Sequence, residues 1–226
     1  MHTRLSLALL TAAGIGSSHA AVIYSQSFDT FDDALTSSVY FDADPTYDGI
    51  ADPVLTGADL GANSNLNGKL SQQQSSLFPQ GGTYFLFSNT LGTLPVAEVW
   101  GTNSSQVIPV VAGGLYQFSF YLAAVGTGNA AVISPRINGV TLNGVTVDGQ
   151  TNPGNATYST AFTWVKHTYR WQAPTTGFAD LSLVNFTTTD VGNDFGIDSI
   201  TFENIPEPSA ALLGALGVLG LMRRRR

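Results

Sequence analysis

The residues of this chain that could do chemistry are few, and they are mostly carboxylates and rings. His167 is the single histidine between residues 21 and 205, and no Gly-x-Ser-x-Gly turn accompanies it. A Ser-His-Asp triad or a multi-histidine metal site therefore lacks its parts. The chain has no cysteine, which removes thiolate zinc and thiol catalysis. Asp198 stands out among the carboxylates. It lies in Phe195-Gly-Ile-Asp-Ser-Ile-Thr-Phe202, where strand alternation puts it on the face of Ile200 and Phe202, towards a core. An inward carboxylate must be met by backbone N–H groups or by a cation. Eight aspartates crowd the stretch from Asp29 to Asp59. Their spacing matches no EF-hand loop, so they read as a solvated, turn-forming region. Glu98 and Glu203 are the only glutamates between residues 21 and 205. A glycosidase would need two such acids facing each other at about 5–10 Å.

The second chemical resource is aromatic. Sugar recognition uses exposed rings that stack on pyranose faces, with a few polar groups to orient them. Trp100, Trp164, Trp171, Tyr116, Tyr121, Tyr158 and Tyr169 form the pool. Tyr121 alternates away from Phe118 and Phe120, so it is the ring most expected at a surface. Trp100 and Trp171 complete the candidate ligand-binding set, with core packing as the plainer reading of each.

Short β-favouring runs between turn residues must position these groups, because no stretch of the body keeps a helical period. Ala21 to Phe28 predicts a first strand. Asp29 to Gln80 reads as a long, turn-rich region with one or two short strands and a helical turn near Lys69 to Ser75. Further strands are predicted at 83–89, 96–100, 115–123, 131–137, 141–147, 163–172, 178–186 and 195–204. Asn138-Gly139 between two of them is a type I′ hairpin signal. Some eight strands at these spacings predict an all-β, antiparallel β-sandwich of jelly-roll type.

Four basic residues face fifteen acidic ones between residues 21 and 205, a net charge of −11, against −7 for the whole chain of 226 residues. Such a body repels phosphate backbones, so nucleic acid is excluded as a partner. The two ends are different in kind. Met1 to Ala20 carries Arg4, an apolar core from Leu5 to Ile15, and Ser18-His19-Ala20 before Ala21. This is a secretory signal peptide, expected as a helix. The C-terminus reads Pro206-Glu207-Pro208, then an apolar run from Ala210 to Met222, then Arg223, Arg224, Arg225 and Arg226. The run contains Ala210, Leu212, Leu213, Leu216, Val218, Leu219 and Leu221 and predicts a hydrophobic, membrane-spanning helix. Its thirteen residues make only about 20 Å of helix against a hydrocarbon core of about 30 Å. The arginine block sets topology by staying cytoplasmic. A marginal span behind a proline motif suits a transient membrane stop that is later removed.

The motif, run and arginines together resemble the PEP-CTERM sorting signal of Gram-negative-type bacteria. That resemblance implies processing near Pro206-Glu207-Pro208 by an exosortase-type enzyme. It also implies a transient stay in the inner membrane, then release or attachment at the cell surface or in the extracellular matrix. The body is similar to galactose-binding-like jelly rolls, which include many carbohydrate-binding modules. Gly192-Asn-Asp-Phe-Gly-Ile-Asp-Ser-Ile200 looks like their closing motif. Leu115 to Tyr121 followed by Ile137-Asn138-Gly139 resembles their middle strands and hairpin. In those modules an Asp at the position of Asp198 helps hold a structural calcium with oxygens near the first strand. The resemblance thus implies calcium on Asp198 with Asp29 or nearby carbonyls. The alternative is that Asp198 caps a turn and binds nothing.

These readings converge on three regions: 1–20 a signal peptide, 21–205 a β-sandwich, 206–226 a sorting signal. The expected role is non-catalytic, an exported surface or matrix component binding polysaccharide. A purely structural protein without ligand, and more remotely a glycosidase, are the alternatives.

Overall fold

The computed structural model describes residues 20–29, 66–71, 73–90, 96–102, 107–128, 130–158, 160–188 and 193–206. The expected signal helix, the aspartates from Asp32 to Asp59, and Glu207 with the apolar run and arginines lie outside these residues. Ala21–Ile205 belongs to one compact unit.

Among the described residues the body is all-β. Its strands are β1 (Ala21–Gln26), β2 (Leu66–Ser71), β3 (Phe85–Thr90), β4 (Ala97–Gly101), β5 (Ile108–Val110), β6 (Leu115–Ala124) and β7 (Ile133–Ile137). There follow β8 (Val140–Thr141), β9 (Thr146–Val147), β10 (Gln150–Thr151), β11 (Val165–Gln172), β12 (Gly177–Ala179), β13 (Leu181–Asn185) and β14 (Phe195–Ile205). A six-stranded sheet runs β11-β6-β14-β3-β2, with β1 also paired to β14. A four-stranded sheet runs β4-β13-β7-β8, and β12-β5 and β10-β9 form small ribbons. Every strand pairing is antiparallel.

The inner faces of the two main sheets share one core. Phe118, Phe120, Leu122, Phe195, Ile197 and Phe202 come from the large sheet, and Trp100, Ile133, Ile137, Leu181 and Leu183 from the small one. Alternation explains the choice, since Phe118, Phe120 and Leu122 are the even positions of β6 and point to one side. A second cluster packs on the other side of the large sheet. Leu77, Phe85, Phe87 and Ala123 form it, with Phe162 and Trp164 against them. Gly196 is its floor: a Cβ there would lie 2.8 Å from Trp164 and 2.9 Å from Phe85.

Several expectations are corrected. No helical turn forms at 69–71. Lys69 and Leu70 are strand residues opposite Phe87 and Leu86, because β3 offers their backbone a ladder. The strand expected over 141–147 is cut at Asn143-Gly144, where Gly144 has φ +67°. The one expected over 178–186 divides at Asp180, between the ribbon with β5 and the four-stranded sheet. Asn138-Gly139 does make the tight hairpin, with φ +52° and +75°.

The consequential correction concerns β14. Asp198 pairs with Tyr121 and Thr201 with Ser119, so three steps on β14 oppose two on β6. The extra residue is a β-bulge at Ser199, which has φ +47°. A bulge reverses the parity of everything beyond it. Ile197, Ile200 and Phe202 therefore all reach the core. Asp198 does not share their face; it points to the opposite side, across from Tyr121.

Candidate functional site

Three arrangements carry the chemically capable residues. The first is a carboxylate clamp. Asp198 has no exposed surface. Its Oδ2 accepts hydrogen bonds from the N–H of Gln80 (2.8 Å) and Gly81 (3.5 Å). Its Oδ1 accepts from the N–H (2.6 Å) and hydroxyl (3.2 Å) of Ser199. Asp29 grips the same loop a little further on, through the N–H groups of Thr83 and Tyr84. The chain reaches Asp29 through Phe28, a fully buried core residue held at φ +62°. Burial pushes the Asp198 carboxyl up from its usual 3.8 to about 6, against the pull of its hydrogen bonds from Gln80, Ser199 and Gly81. Backbone amides thus meet this carboxylate, one of the two compensations open to it. The second Asp29 oxygen, Oδ2, accepts no hydrogen bond among the described residues and faces Gly82. Among the described residues no group of three or more His, Cys, Asp or Glu is placed to hold a metal ion.

The second arrangement is the outer face of the four-stranded sheet. Register places Gly101, Ser182, Arg136 and Thr141 in one row. Glu98, Val184 and Ser134 form the next. The small residues Ser134, Ser182 and Val184 are buried, whereas Glu98 and Arg136 are half-buried and Thr141 exposed, so small side chains alternate with larger ones across this face. The Arg136 guanidinium sits 5.5 Å from the centre of the Phe186 ring, and that ring is 40% exposed. Glu98 leans over Gly101. Its carboxyl is pushed up by burial and by Asp180, and drawn back by a hydrogen bond with Ser182 and by Arg136. Asp180 is oriented by the Thr102 hydroxyl at 3.0 Å. Ser134 and Thr141 share a hydrogen bond of 3.0 Å, and the Asn143 amide donates to Ser134 at 2.9 Å. Arg136 Nε and Asn143 Oδ1 are buried with no hydrogen-bond partner. One is a donor and the other an acceptor on the same face. Orphaned buried groups are rare and costly unless something completes them.

The third is the outer face of the large sheet, where Tyr121 lies. Its ring is half-buried, with the Lys166 ammonium 5.9 Å from its centre. The other two expected ligand rings are not there. Trp100 is 1% exposed and packs between Tyr24 and Phe118, so it offers no stacking surface. Trp171 pairs with Tyr116 on the core side, and packs against Tyr116 and Phe202. His167 likewise faces Phe120, and burial lowers its pKa.

Sequence reasoning misses the second arrangement. In the sequence Glu98 stands alone, Arg136 is only a charge, and Phe186 is the end of a strand. The readable signal is alternation, since 182, 184 and 186 share one face of β13 and its extension, with 134 and 136 on one face of β7.

Residues 204–226 match the model described as the PEP-CTERM protein-sorting motif. The motif marks an exported protein sorted to the cell surface. No curated protein matches the chain. Among solved structures the chain is similar to the CBM22-1 xylan-binding domain of Paenibacillus barcinonensis Xyn10C, at 13% identity and TM-score 0.44 over 83% of this chain and 97% of that one. It is also similar to the CBM22-1–GH10 modules of Clostridium thermocellum xylanase 10B, at 14% identity and TM-score 0.47, covering 82% of this chain and 29% of that one. A third likeness is to the sugar-binding EclA C-terminal domain, at 22% identity and TM-score 0.38, covering 49% and 69%. Likenesses of this degree decide nothing about a ligand.

Proposed function

We propose that this is an exported, non-catalytic surface protein whose sandwich binds a neutral polysaccharide on the outer face of the four-stranded sheet. The observation that carries this reading is the pair of unsatisfied buried atoms on one face, Asn143 Oδ1 and Arg136 Nε, the guanidinium of Arg136 lying 5.5 Å from the centre of the half-exposed Phe186 ring. Sugar hydroxyls donate and accept, so one saccharide could meet both while its apolar face lies on Phe186. The buried Ser134 and Ser182 leave room for a chain to lie between Glu98 and Thr141. The sorting motif supports a surface or matrix setting, and it implies processing by an exosortase-type enzyme.

A structural calcium belongs to the same proposal. Asp198 and Asp29 would be its carboxylates, and it would tie the loop of residues 80–84 to β14.

Affinity electrophoresis of the exported protein through gels cast with xylan or with a mixed-linkage glucan tests the reading. Retardation by one of them, lost in Arg136→Ala and in Phe186→Ala, is the expected result. No retardation of the wild type would leave a structural protein without this ligand. Release of reducing ends from the glycan, abolished by Glu98→Gln, would instead make the Glu98–Asp180 pair catalytic.

A further inference from the structure

We infer that the outer face of the large sheet is a second ligand site, for an acidic polysaccharide. The sheet register lays out this face row by row. Lys166 pairs with Tyr121. Thr168, Ser119, Thr201 and Ser25 then form a row of four hydroxyls across β11, β6, β14 and β1. Arg170, Gln117 and Glu203 form the row after that. Within the hydroxyl row Ser119 and Thr201 are hydrogen-bonded at 2.8 Å. Ser119 is buried, but Lys166 and Ser25 are exposed and Thr168, Thr201, Gln117, Arg170 and Tyr121 half-buried, so accessible polar groups lie on both sides of it.

Charge is what gives this surface a preference. The body has only four basic side chains, Lys69, Arg136, Lys166 and Arg170, against fifteen acids. Two of the four stand on this face of β11, and alternation points both the same way. They lie four strand positions apart, about 13 Å. Neither makes an ion pair among the described residues. The acid of the third row, Glu203, lies two strands from Arg170, about 10 Å away. Asp198, across from Tyr121, is buried under the loop of residues 80–84. Two such cations with hydroxyls between them and a ring at one end suit a chain of sugars carrying widely spaced carboxylates or sulfates. The hydroxyl row can exchange hydrogen bonds with sugar hydroxyls, and Tyr121 can take a pyranose face.

The overall charge of −11 opposes any polyanion at long range. That repulsion is screened over about 8 Å at physiological ionic strength, whereas contact pairs are screened less. A sparse polyanion can therefore bind at the two cations. A nucleic acid, with one charge per about 1.7 Å of duplex, brings far more repulsion than two cations offset.

The probe is sodium hyaluronate, which carries one carboxylate per disaccharide, in affinity gels run with the full exported protein, beside a neutral glucan and double-stranded DNA. Hyaluronate should retard the wild type, and added salt should relieve the retardation. Lys166→Gln/Arg170→Gln should bind about tenfold more weakly with an unchanged melting temperature. The charge-preserving pair Lys166→Arg/Arg170→Lys should bind as the wild type does, and Glu203→Gln should bind more tightly. An unretarded wild type, a double Gln variant retarded as strongly as the wild type, or equal retardation by DNA would each overturn the site. The neutral-glucan lane reads the four-stranded face separately, so either site can fail alone.

Discussion

Asp29 and Asp198 hold one loop from its two ends. Asp198 takes the N–H groups of Gln80 and Gly81, and Asp29 those of Thr83 and Tyr84. Gly82 lies between them at φ +72°, where a Cβ would run into the Asp29 carboxylate. The start of the body and its last strand, residues far apart in sequence, are joined through this loop.

That clamp has a pH signature. The folded pKa of Asp198, about 6, lies above its ordinary 3.8, so the folded state binds the extra proton. Its stabilising contribution is full below about pH 4 and is lost as pH rises through about 6, a change on the order of 3 kcal/mol. Thermal melts in chelator should show stability rising as pH falls from about 7 towards about 5. Asp198→Asn should flatten that rise.

Calcium would reverse the preference, because it stabilises the ionised carboxylate. Adding calcium at neutral pH should raise the melting temperature of the wild type and leave Asp198→Ala unmoved. An equal rise in both proteins would place any bound calcium elsewhere.

Gly196 is required by space. Its backbone passes under Trp164, Phe85 and Leu77, and an alanine methyl at this position would come within 3.0 Å of all three. Gly196→Ala should destabilise by about 1–3 kcal/mol through overpacking, measurable by denaturant unfolding. Val140→Ala, at an exposed hairpin position, should change stability by less than about 0.5 kcal/mol.

Phe186→Ala should weaken glycan binding by about tenfold or more, as loss of a central aromatic does. Because the ring is 40% exposed, the same change should cost little stability. Titration calorimetry beside a thermal melt separates the two effects.

The processed chain should end near Pro206–Pro208. Intact mass of protein recovered from the cell surface or medium reads this directly. A product still ending at Arg226 would mean that the tail is retained.

The sheets are largely legible from residue type and period. Leu115–Ala124 and Phe195–Ile205 emerge almost at their observed bounds, since alternation of large apolar side chains is a local signal. The Asn138-Gly139 turn is readable for the same reason: left-handed φ is a property of those two residues. The two proposed binding faces are not legible to that degree. Nothing local to Trp100 says that its ring is enclosed by Tyr24 and Phe118, and nothing near Glu98 names Arg136 as its neighbour two strands away.

The sequence by itself determined the sorting motif at residues 204–226, the β class, the acidic charge and the absence of cysteine. Each follows from composition or from runs of adjacent residues. Tertiary structure alone decided which way Asp198 points. One extra residue at Ser199 turns it from the core face to the side of Tyr121, and only the pairing with β6 shows that a residue is extra. It also decided that Arg136, Phe186 and Glu98 share one sheet face and that Lys166 and Arg170 flank a row of hydroxyls. Strand register brings those groups together, and register is set by the fit of whole sheets.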